Sequence, residues 1–176
     1  MFSVGQYVIH PRFGAGEIID LAHILICDQK KTCYVINPLL EEIIIKIPVD
    51  TANTVGLRLP LPVDKIITLL EILKEPLLGD QQDFLRTAKI PQEINLTDPT
   101  NVLNIIKFLF YEKIYRQQEG KSLSLSKRRL YTLAISLIAS EIVAIKQCSI
   151  EEACFTVRNS LVFQPTPSTS TSVYNI

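Results

Sequence analysis

From Val4 to Leu57 the chain is dominated by β-branched residues in short runs with a period near two, punctuated by Pro11, Gly14, Gly16, Asp28-Gln29-Lys30-Lys31 and Asn37-Pro38. That pattern predicts five short strands, near residues 7–9, 16–26, 32–36, 42–47 and 53–57. So small a sheet buries a core only by curling, so a barrel is expected, with Gly14 and Gly16 at its tight bend.

After Leu59-Pro60-Leu61-Pro62 the period lengthens to about 3.6, which marks a domain boundary in a short, stiff linker. Pro62 suits the first turn of a helix over 63–73, with Ile66, Ile67, Leu69, Leu70 and Leu73 as its apolar face and Pro76 and Gly79 as breakers. A short helix over 80–88 follows, ended by Pro91. Thr97-Asp98-Pro99 supplies a cap and a first-turn proline for the next helix, whose inward stripe is Val102, Ile105, Ile106, Leu109, Phe110 and Ile114 and which Gly120 ends. Ser124 or Ser126 caps a long helix with Leu130, Leu133, Ala134, Leu137, Ile138, Ile142 and Ile145 facing inward. Ser149-Ile150-Glu151-Glu152 fits a capping box for a last helix reaching Phe163. The Pro/Ser/Thr-rich tail after it has little to bury and is expected to be disordered.

Composition narrows the function. With 47% hydrophobic residues in 176, real cores are affordable, and 18 basic against 18 acidic residues leave no global field. Contact with nucleic acid must therefore come from a local patch. Met1-Phe2-Ser3 leads straight into a strand pattern without a signal-like leader, and apolar runs are broken by charge well before ~18 residues. A cytoplasmic protein without membrane association is expected.

Cys27, Cys33, Cys148 and Cys154 have neither zinc-knuckle nor redox spacing and read as reduced, partly buried thiols, although Cys27 and Cys33 could face each other across a hairpin. His10 and His23 are the only histidines, which argues against a His-based metal site or triad. Glu141, Glu151 and Glu152 lack a catalytic arrangement. Gly14-x-Gly16 lacks the third glycine and the helix of a dinucleotide loop and reads as a turn. No enzyme activity, cofactor, metal or small-molecule substrate is expected.

The run Val4-Gly5-Gln6-Tyr7-Val8-Ile9-His10-Pro11-Arg12-Phe13-Gly14-Ala15-Gly16-Glu17-Ile18 has a second part in Ile43 to Pro48, Val49-Asp50-Thr51-Ala52 and Val55-Gly56-Leu57-Arg58. Together they resemble the polymerase-binding module of CarD-type bacterial transcription regulators, shared with the transcription-repair coupling factor. Leu123-Ser124-Leu125-Ser126-Lys127-Arg128-Arg129-Leu130, Ala134, Ser140-Glu141-Ile142 and Ser149-Ile150-Glu151-Glu152-Ala153 are similar to the C-terminal domain of the same regulators.

The resemblance implies an α+β chain: a small Tudor/SH3-like β-barrel over 1–60 that docks on the RNA polymerase β subunit, an all-α domain over 61–163, and a tail over 164–176. It implies that the helical domain touches promoter DNA at the upstream edge of the melted bubble and lengthens the life of the open complex. The contacts would be nearly independent of sequence, since phosphate contacts position without reading bases. A monomer is expected, its barrel tethering the helical domain beside the DNA.

Ile43, Ile44, Ile45, Lys46 and Ile47 form the candidate polymerase-binding strand, because a run of β-formers left at an edge can accept a partner strand. Lys46 falls where the family has a basic residue at the polymerase interface; a plain alternative is a solvated guard against aggregation. A second basic contact expected in 22–25 is replaced by His23 among apolar residues.

Phe84-Leu85-Arg86 aligns with the family's Trp-x-Arg, which implies an aromatic wedge in the minor groove and an arginine on phosphate. Phenylalanine has a smaller ring and no indole N–H, so a weaker wedge follows, and Phe84 as an ordinary core residue is the alternative. Lys127, Arg128 and Arg129 lie near a predicted helix start and, with Arg86, Lys89 and Lys121, suit a phosphate-binding patch or else a merely solvated face. The candidate DNA-binding residues are thus Phe84, Arg86, Lys89, Lys127, Arg128 and Arg129. The rival reading is an adaptor whose helical domain binds another protein through an apolar groove.

Overall fold

The computed structural model describes residues 1–75 and 96–162. Strands β1 (Tyr7–His10), β2 (Gly14–Ile26), β3 (Gln29–Pro38) and β4 (Ile45–Pro48) form one antiparallel sheet in sequence order. Its inward face carries Val8, Ile18, Tyr34, Ile36 and Ile47, which pack with Ala52 and Leu57 from the turns that follow β4.

The turn between β2 and β3 is two residues long, and both Cys27 and Asp28 have positive φ, 48° and 61°. That is the twist a tight hairpin requires. Cys27 therefore sits in the turn while Cys33 pairs with Ala22, so the two cysteines do not face each other, and all four thiols are free.

The sheet is not a closed barrel. Residues 53–57, expected as a fifth strand, are turns held by Gly56 N to Asn53 O (3.0 Å) and Leu57 N to Ala52 O (2.9 Å). Asn53, Thr54 and a positive-φ Gly56 favour turns over ladder pairing. Only Arg58 continues onto β1, exchanging both backbone hydrogen bonds with Ile9 at 2.7 and 3.1 Å. The fourth strand starts at Ile45 rather than residue 42, because the chain bends where Ile43 N bonds Glu41 O.

Four helices follow among the described residues: α1 (Val63–Lys74), α2 (Pro99–Gln118), α3 (Leu125–Lys146) and α4 (Ile150–Asn159). Asp98 caps α2, Ser124 caps α3, and Ser149 with Glu152 forms the full capping box of α4. Each cap satisfies backbone donors that a helix start leaves open.

Helix α4 stops at Asn159, short of residue 163, where the Ser160 hydroxyl turns back onto Thr156 O. Leu73, Leu103, Ile106, Leu109, Ile135 and Ile142 centre the helical core. Ile67 is 51% exposed. Phe110, Ile114, Leu130, Leu133 and Ile145 are half-buried on the flanks of their stripes. Lys107, although buried, directs its ammonium to Ile72 O near the C-terminal end of α1 at 2.9 Å, a position where cations are favoured.

The expected helix over 80–88 and the tail over 164–176 lie outside the described residues. Among those described, no single helix is long and apolar enough to cross a membrane.

Candidate functional site

Strand β4 forms one edge of the sheet, with β3 on its inner side. Val49 N donates to Thr32 O at 2.9 Å, and the register runs on through Tyr34↔Ile47 and Ile36↔Ile45. In an antiparallel ladder bonded pairs alternate, so Ile45 and Ile47 spend their backbone groups on β3 while the N–H and C=O of Lys46 point outward. Its side chain is exposed, whereas Ile47 is buried at 4%. Ile43 and Ile44 lie just before the strand at 40% and 52% exposure. The five residues thus divide: Ile47 and half-buried Ile45 pack on the core, Lys46 offers the free edge, and Ile43 and Ile44 supply apolar surface beside it.

The sheet is fastened to α3 by a buried polar latch. Glu141, 2% exposed, accepts from Arg58 Nη1 at 2.7 Å and Nη2 at 2.9 Å, and from Leu61 N at 2.7 Å. Ser140 Oγ accepts from Ala15 N at 2.9 Å and donates to Leu137 O at 2.8 Å. Gly14 makes this approach possible, since a Cβ there would collide with Ser140 Oγ, and its φ of +68° suits glycine. A buried carboxylate is tolerable because each oxygen has a strong donor. Two points of the sheet, the β1–β2 corner and the segment leaving it at Arg58, therefore sit fixed on one helix, across the linker at residues 59–62.

The candidate basic residues of α3 separate. Lys127 Nζ lies 2.7 and 2.8 Å from the two oxygens of Glu112, whose Oε1 also accepts from Arg116 Nε at 2.7 Å. Burial pushes the Glu112 carboxyl up, but these hydrogen bonds and charges outweigh it and hold its pKa below 4.5. Lys127 is therefore paired within the fold. Lys121 likewise pairs with Glu119 at 3.0 Å.

Arg128 and Arg129 are exposed and line a groove of about 470 Å3 between α3 and the sheet. Arg12 and Phe13 border it from the β1–β2 turn, with the Arg12 guanidinium 5.2 Å from the Phe13 ring centre. Arg12 was not singled out by the sequence, because nothing local to Pro11-Arg12-Phe13 says that this corner will face the start of α3. Phe84, Arg86 and Lys89 lie outside the described residues. His23 is exposed on β2, its Nδ1 3.1 Å from Thr32 Oγ1.

Among the described residues no group of three or more His, Cys, Asp and Glu is placed to hold a metal ion. In a comparison with protein-family models, residues 2–60 match the CarD-like/TRCF RID domain.

Proposed function

We propose, from the premise that this chain carries a CarD-like/TRCF RID domain and is a CarD-type RNA polymerase-interacting protein, that it is a non-catalytic, cytoplasmic transcription regulator acting as a monomer. Its barrel-like N-terminal unit docks the outer edge of β4 on the polymerase β subunit by strand addition. The free main chain of Lys46 carries this reading, because an unpaired edge is what such docking uses.

The DNA half of the proposal rests on Arg128 and Arg129, joined by Arg12, with Phe84, Arg86 and Lys89 as the wedge and its flanking cations. The latch between Arg58 and Glu141 supports it physically. A sheet anchored on polymerase carries α3 as a pre-oriented surface, so weak phosphate contacts need not bear the cost of ordering a loose partner. Extending the life of the open complex tenfold takes only about 1.4 kcal/mol.

The alternative, a protein-binding adaptor, is favoured by the apolar share of the groove beside Arg129, where Phe13, Leu40, Leu125 and Leu133 meet. Open-complex lifetime with purified polymerase separates the two. Arg128→Ala with Arg129→Ala, and separately Phe84→Ala, shorten it if DNA is the partner; an adaptor leaves it unchanged in both.

A further inference from the structure

We propose that the cleft enclosed by α2, α3 and α4 is a binding site for a nucleoside phosphate. It measures about 420 Å3, within the range of small-ligand sites. Lys113 and Gln117 enter it from α2, Arg128, Tyr131 and Thr132 from α3, and Arg158 from the last turn of α4. Its lining contains three cations and no carboxylate.

Several other cations of the helical half are paired with carboxylates. Lys74 pairs with Glu71, Arg116 and Lys127 with Glu112, and Lys121 with Glu119. Lys113, Arg128 and Arg158 have no such partner among the described residues. Three like charges delivered by three helices to one concavity repel one another, and a bound anion relieves that repulsion. Burial raises the Tyr131 phenol pKa, and Arg158 lies close enough to oppose that rise.

The remaining lining selects the ligand. The Tyr131 and Thr132 hydroxyls and the Gln117 amide are neutral hydrogen-bonding groups suited to a sugar or phosphate. The Tyr131 ring, with buried Leu123 and Ile135, provides an apolar wall on which a base can lie. Inorganic phosphate would leave that wall unused, and a duplex backbone, being a ridge, would meet Arg128 only from outside. The site is built from side chains on three helices, which is why no glycine-loop motif marks it in the sequence.

This inference goes beyond the proposed function and does not rest on it. One consequence does: Arg128 also borders the groove that holds Arg12 and Arg129, so an occupied cleft would withdraw a cation from the DNA face.

Calorimetric titration of the full chain with ADP, with inorganic phosphate and with a short DNA duplex tests the proposal without polymerase. ADP should bind one to one, and more tightly than phosphate. Lys113→Gln with Arg158→Gln should weaken ADP at least roughly tenfold at an unchanged melting temperature, as both side chains are exposed; Lys113→Gln alone should weaken it less and serves if the double variant melts early. Tyr131→Leu should reduce ADP affinity more than phosphate affinity. Absence of ADP binding at millimolar concentration, or binding indifferent to the cation variants, overturns the assignment. So does a duplex that alone binds and alone is lost in the double variant, which would make the cleft a DNA subsite.

Discussion

Arg58 reaches from the end of the sheet to Glu141 on α3 and presents two N–H donors to its two carboxylate oxygens, at 2.7 and 2.9 Å. The partners differ in burial: the Arg58 side chain is 28% exposed and that of Glu141 2%. Removing the arginine strands a carboxylate in the interior, whereas removing the carboxylate leaves an arginine able to turn toward water. Arg58→Ala should therefore destabilise by about 3 kcal/mol or more, and Glu141→Leu by distinctly less. Urea denaturation of both variants checks the order; equal losses would mean that the buried carboxylate is not the costly partner.

The second fastening, one residue earlier on α3, makes a separate prediction. Ser140→Ala leaves Ala15 N without its acceptor in a buried place, which should cost about 1–3 kcal/mol. Gly14→Ala should cost more, since it adds a left-handed alanine to a collision with the Ser140 side chain. In the double variant Gly14→Ala with Ser140→Ala the collision is eased, so the two losses should sum to less than additivity requires. Melting of the four proteins of this cycle measures that coupling.

Much of this architecture was legible along the chain. Capping residues are local signals, so Asp98 and the Ser149–Glu152 box marked two helix starts, and of the two candidates Ser124 and Ser126 the structure uses Ser124. The limits of α4 and of β4 were less legible, because they depend on where a hydroxyl or a bend competes with the regular ladder. The latch was out of reach for a different reason. Arg58 and Glu141 are far apart in sequence, and each alone reads as an ordinary surface charge. The basic run Lys127-Arg128-Arg129 looked uniform, yet helical geometry turns its first member toward Glu112 and leaves the next two exposed.

Docking through a main-chain edge predicts an unusual response at Lys46. Its N–H points away from β3, so Lys46→Pro removes the outward donor without breaking a ladder bond inside the sheet. Lys46→Ala should weaken association with the polymerase β lobe modestly, and Lys46→Pro should abolish it at unchanged melting temperature. Equal losses in a pull-down would place the contact on the ammonium instead.

The pair formed by Glu112 and Lys127 predicts an acid-dependent stability. The folded-state pKa of Glu112 lies below its ordinary value of 4.5, so on acidification the unfolded chain takes up this proton first. The stability contributed by the group is therefore complete above 4.5 and is lost as the pH falls through the lowered folded-state pKa. Lys127→Met removes the donor that reaches both oxygens and leaves Arg116 as the one cation still bonded to Glu112 among the described residues, which should destabilise the protein at neutral pH. As the carboxyl protonates in both proteins, the difference between parent and variant should shrink toward acid pH; urea midpoints measured across that range check it, and a difference independent of pH would show that the carboxylate is not what Lys127 stabilises. Because the ammonium is already committed, the same variant should leave open-complex lifetime near that of the parent, in contrast to Arg128→Ala with Arg129→Ala.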